Sequence, residues 1–89
     1  MTATAEMPAA RMSYPRAIGH AIRARRMELD LTQSQLAKTT RTYRPLICRI
    51  ERGEHWPNLL TLFGYAHALG MSLSALLALA EEMQRGDEG

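Results

Sequence analysis

The sequence predicts an all-α fold, a compact five-helix bundle built as one domain. Three observations carry this. Apolar residues recur at three- and four-residue spacing in five segments, with no strict alternation of the kind a strand requires. The segments are separated by short breaks at Asp30, at Thr39 to Thr42, at Gly53 to Asn58 and at Gly70, which suit turns between neighbouring helices. The chain is 89 residues long, and a domain near this size buries only roughly 60% of its unfolded surface, so its core is thin and a partner subunit would add to it.

Each element has its own justification, in chain order. Residues 1–14 are Ala- and Thr-rich with Pro8 and predict a flexible N-terminal arm, while Pro15 suits the first turn of a helix. In helix one, Ile18, Ala21, Ile22 and Leu29 repeat at helical spacing, and Arg16, Arg23 and Arg26 take other faces. Asp30 stands where a helix end needs a left-handed residue, and Thr32 is the expected N-cap of helix two, 33–38, with Leu36 and Ala37 inward. Helix three comes after the turn, holds Ile47 and Ile50 inward and stops at Gly53. Proline disfavours helical geometry in the residue before it, so Pro45 is expected at the first helical position and Arg44 at the cap. Pro57 and Asn58 break and cap ahead of helix four, whose inward stripe is expected to be Leu59, Leu62, Phe63, Ala66 and Leu69. Ser72 caps helix five, with Leu73, Leu76, Leu77 and Ala80 facing the core. The folded domain is expected over 15–84 and a disordered tail over 85–89.

Net charge is only +2, but its distribution is lopsided. Residues 11–53 hold ten of the eleven Lys and Arg against Glu28, Asp30 and Glu51, whereas Glu54 onward carries Arg85 against five acids. A basic half joined to an acidic half is the footprint of a surface for a polyanion. Cys48 is the single cysteine, so no internal disulfide forms and a reducing, cytoplasmic setting is expected. His20, His55 and His67 neither cluster nor share a ligand spacing, which argues against structural zinc; no cofactor is expected. The start, MTATAEMPAARMSYPR, lacks the apolar core of a secretory signal, and no run reaches the length of a membrane span.

Chemistry concentrates in RTYRPLICRIERGE, Arg41 to Glu54, which sets Arg41, Arg44, Arg49 and Arg52 around the apolar Leu46, Ile47 and Ile50, with Glu51 among them. Helical spacing turns Ile47, Ile50 and Glu51 one way and Arg44, Pro45, Cys48, Arg49 and Arg52 another. There is no nucleophile with a base, paired carboxylates or phosphate loop, so an enzyme is not expected.

From Ile18 to Leu77 the chain resembles the Cro/CI-type helix-turn-helix of phage repressors and their bacterial relatives. The matching stretches are IGHAIRARR, LTQSQLAK, ICRIERGE, Pro57 and LLTLFGYAHALGMSLSALL. The resemblance implies a phage repressor-like DNA-binding domain of five helices. Helices two and three would form the helix-turn-helix, helix three would enter the major groove, and operator DNA would be bound as a dimer. Two departures lie where DNA would be read. Arg41, Thr42 and Tyr43 replace the usual Gly, apolar residue and Ser of the turn, and Glu54 and His55 come after Gly53 where relatives often carry Lys or Arg.

On that footing Arg44 and Arg49 are the expected base readers, since arginine bonds bidentately to guanine, and Pro45 or Leu46 would meet a thymine methyl. Gln33 lies where the family contacts the DNA backbone, and Lys38, Arg41, Tyr43 and Arg52 are further phosphate candidates. The alternative for these residues is a solvated surface. The residue matching Glu51 pairs in the family with an arginine matching Arg26, which implies a structural ion pair between them. Cys48 reads as a small side chain near the groove rather than a redox switch, and Trp56 as a cap on the core beside Pro57 rather than a group stacked on DNA. The arm with Arg11 reads as disorder rather than a minor-groove follower. In helix five, Ala75, Leu79 and Met83 form a second apolar strip, the expected dimer interface. The reading is a sequence-specific transcriptional regulator binding double-stranded DNA as a homodimer. Its alternative is an antitoxin-like or adaptor module that uses the fold to hold a protein partner.

Overall fold

The helices start where a side chain or a proline serves the first turn. The computed structural model describes residues 12–86, which form α1 (Tyr14–Glu28), α2 (Gln33–Thr39), α3 (Arg44–Glu51), α4 (Leu59–Ala68) and α5 (Leu73–Gly86). The first amides of a helix have no intrahelical partner. Ser13 Oγ accepts one of them in α1, from Arg16 at 3.4 Å. Thr32 and Gln35 close a reciprocal capping box on α2, with bonds of 3.0 and 2.7 Å. Asn58 and Ser72 cap α4 and α5 with one bond each, accepting from Thr61 and Ala75 N–H at 2.8 and 3.0 Å. Both α1 and α3 begin one residue earlier than expected, at Tyr14 and Arg44, with Tyr43 as the cap of α3. Proline's missing amide costs no bond at the second helical position either, so Pro15 and Pro45 are accommodated there.

The breaks share one device. Asp30, Arg41, Gly53 and Gly70 all adopt positive φ, at 56, 58, 75 and 70°. In each case the next amide reaches back to the last turn, as Leu31 N–H does to Arg26 O and Thr42 N–H to Ala37 O, at 3.0 and 2.8 Å.

The core gathers Ile18, Ala21 and Ile22 of α1, Leu36 of α2, Ile47 and Ile50 of α3, Tyr65 and Leu69 from the fourth segment and Leu76 of α5. The α4 stripe is not the expected one. Leu59 and Phe63 are 61% and 52% exposed, while Tyr65 is fully buried. LLTLFGYAHA is apolar nearly all round, so its periodicity does not fix the phase, and the helix turns its largest amphipathic side chain inward. In α5, Leu79 and Met83 are half-buried and pack against the core, leaving Ala75 exposed. Because α5 packs against both α1 and α4, it buries more than one stripe. Gln84 Nε2 also donates to Met12 O at 2.9 Å, so Met12 and Ser13 belong with the folded unit. Arg85 and Gly86 complete α5, and the rest of the expected arm and tail lies outside the described residues.

Two glycines bring α1 against α3. A Cβ on Gly19 would collide with the Ile50 carbonyl oxygen, and one on Gly53 would stand 2.8 Å from Arg16 Cα. The backbones therefore touch, and α3 is seated directly on α1.

Candidate nucleic-acid interface

Beneath α3 lies a buried polar cluster. Glu51 is 6% exposed, yet both of its oxygens are used. Arg26 Nε donates to Oε2 at 2.7 Å and Nη2 to Oε1 at 3.0 Å, a bidentate fork. The third guanidinium nitrogen donates to Leu31 O at 2.7 Å, and Gln33 Nε2 donates to Glu51 Oε1 at 3.0 Å. The bond to Glu51 holds the Arg26 guanidinium above its ordinary pKa, against the opposing effect of burial. One cluster thus ties α1, the head of α2 and the end of α3, and neutralises the only acid of α3 inside the protein.

With that acid withdrawn, the outer surface of α3 is cationic. Arg44, Pro45, Arg49 and Arg52 are exposed and Cys48 is half-buried, as the helical spacing requires. Leu46 differs from its expected place: it is half-buried and packs against the core, because the first turn of α3 leans on the domain. Arg41 and Tyr43 are exposed in the turn, and Lys38 is exposed near the end of α2. Gln33 sits in the first turn of α2, but its side chain is committed in part to Glu51. Among the described residues the ion pairs are Arg25–Glu28 and Arg26–Glu51, and the arginines of the α3 surface take part in neither.

The structure adds residues the sequence did not single out. Arg16, His20 and Arg23 of α1 line a cleft with Arg44, Cys48 and Arg52, and the only sequence signal for them was their four- and three-residue spacing. Trp56 is 56% exposed beside a buried Pro57, so the proline and not the indole covers the core there. With Leu59, Leu60 and Phe63 it makes an exposed apolar surface at the head of α4. Arg11 lies outside the described residues.

Comparisons with known proteins agree with this architecture. The helix-turn-helix family model HTH_3 matches residues 22–76. The immunity repressor protein of Bacillus phage phi105 is 42% identical over 60 residues, 67% of this chain and 42% of that repressor. The chain therefore spans less than half the length of that relative. Among solved structures, the clp gene regulator ClgR from C. glutamicum superposes with a TM-score of 0.80 at 28% identity, covering 85% of this chain and 97% of that one. The restriction-modification controller protein C.AhdI from Aeromonas hydrophila does so with a TM-score of 0.68 at 26% identity, over 70% of this chain and 94% of that one. Since the family model takes in α2, α3 and the Arg26–Glu51 pair between its limits, the chain belongs to the helix-turn-helix family of the Cro/CI type.

Proposed function

We propose that this chain is a sequence-specific DNA-binding transcriptional regulator that places α3 in the major groove and acts as a homodimer in the cytoplasm or nucleoid. The observation that carries the reading is the charge arrangement of α3, with Arg44, Arg49 and Arg52 outward and Glu51 sealed against Arg26. Arg44 and Arg49 read bases, Pro45 meets a thymine methyl, and Leu46 supports them from behind. Arg52, Arg41, Tyr43, Lys38 and the head of α2 at Gln33 hold phosphates and set the register. The relatives' names, an immunity repressor and a clp gene regulator, support regulation of transcription rather than catalysis.

Selection of bound duplexes from a random pool tests the reading. A homodimer is expected to enrich two copies of one half-site about one helical turn apart. A pool that enriches no sequence overturns it. The exposed surface of Trp56, Leu59, Leu60 and Phe63 supports the dimer, and it also supports the adaptor reading, in which those residues hold another protein. Steep salt dependence of duplex binding separates the two, because an adaptor releases no counterions.

A further inference from the structure

The close seating of α3 on α1 leaves an open cleft of about 590 Å3 beside the contact. Arg16, His20 and Arg23 line it at i, i+4 and i+7 along α1, Arg44, Cys48 and Arg52 line it at i, i+4 and i+8, and Gln33 of α2 and Glu51 complete the lining. All four arginines are exposed. The acid in the lining is Glu51, whose oxygens already accept from Arg26 and Gln33, so it is not available to balance them. Four guanidinium groups facing one opening repel one another, and an anion between them removes that repulsion. Arginine's fork of donors matches the oxygens of a phosphate.

The position of the cleft selects the anion. A helix lying in the major groove, about 12 Å wide, has a phosphate strand on each side. Arg41 and Tyr43 precede α3 and Lys38 lies near the end of α2, none of them in the cleft, which α1 and α3 line together with Gln33 at the head of α2. We propose that this cleft is a phosphate-binding site that seats the backbone of the DNA strand on the α1 side, with Arg16 and Arg23 as direct contacts and Arg52 opposite them. The site rests on the DNA-binding reading above and makes α1 a third DNA-contacting element beside α2 and α3. Arg16, Arg23 and Arg52 carry no base preference there, whereas Arg44 at the same opening keeps its base-reading role.

The test is the salt dependence of binding to the selected duplex and to an unrelated one, for the wild type, Arg16→Gln/Arg23→Gln and Arg16→Lys/Arg23→Lys. Both side chains are exposed, so circular dichroism is expected to be the same for all three. The Gln pair is expected to lower the steepness of log K against log salt by about 1.8, at about 0.9 per phosphate charge, and to weaken both duplexes by the same factor. The Lys pair restores the slope. An unchanged slope in the Gln pair, with the wild type still binding the selected duplex, overturns the cleft site and leaves the DNA-binding reading standing. A wild type that binds no duplex overturns both. Calorimetric titration with inorganic phosphate in the absence of DNA distinguishes the source. Saturable binding lost in the Gln pair, together with an unchanged DNA slope, would assign the cleft to a free anion and overturn the DNA assignment.

Discussion

Arg41 holds a left-handed backbone, φ 58°, at the turn between α2 and α3. An L-residue with a Cβ is strained there by about 1–2 kcal/mol, and glycine is not. On the proposed reading this residue is a phosphate contact, and a strained backbone retained at such a position is consistent with that role. Arg41→Gly is therefore expected to raise stability by about 1 kcal/mol in urea unfolding while weakening duplex binding; a variant no more stable than the wild type would remove the strain account. Tyr65 is a second residue under tension. Its buried hydroxyl makes no hydrogen bond of full geometry among the described residues, and burial pushes its pKa above the usual value, against a smaller opposing effect of the nearby Thr42 side chain. The folded state thus favours the protonated phenol. The stability this contributes is complete below the unfolded pKa of about 10 and is lost as pH rises through the higher folded value. Removing an unsatisfied buried hydroxyl relieves about 1–3 kcal/mol of desolvation. Tyr65→Phe is expected to match or exceed the wild type at pH 7 and to lose less stability at alkaline pH, and thermal melts from about pH 7 to 11 would show it. A Phe variant clearly less stable at neutral pH would mean that the hydroxyl is bonded after all.

Among the elements, α1 and α3 behave as one unit. The Arg26–Glu51 side chains are 11% and 4% exposed. Removing either partner leaves the other charge buried, at a cost of about 3–5 kcal/mol. Arg26→Ala and Glu51→Ala are each expected to fall in that range and the double variant to cost far less than their sum; additive losses in a thermal double-mutant cycle would refute the coupling. The elements themselves were legible in the sequence because their ends are local chemistry: Thr32, Asn58 and Ser72 cap the starts of α2, α4 and α5, and Asp30, Gly53 and Gly70 close the ends of α1, α3 and α4. Face was legible only where a helix has a polar side. The alternation of arginine and isoleucine orients α3, while the uniformly apolar α4 concealed that Tyr65 points in and Phe63 out. The cleft was not legible, because its arginines come from two helices whose apposition depends on the small size of Gly19 and Gly53.

At the scale of the whole molecule, the homodimer proposed above requires a surface on which two copies meet. Leu79 and Met83 contribute to the monomer core, so a charge placed there would disturb folding and association together. Leu60 separates the two, being 80% exposed at the head of α4 with Leu59 and Phe63. Leu60→Asp is expected to keep its circular dichroism spectrum, to run as a monomer in light scattering, and to bind the selected duplex at least about tenfold more weakly, or about 1.4 kcal/mol. A variant that stays dimeric would place the interface away from α4. The seating of α3 on α1 also separates the residues that hold the fold from those that face outward. The glycine contact and the Arg26–Glu51 pair lie on the inner side of α3, and Arg44, Pro45 and Arg49 stand on its outer side. Substitutions at those outer positions leave the packing intact and cost little stability. On the DNA-binding reading proposed above, the target site is then set by residues that the fold does not need.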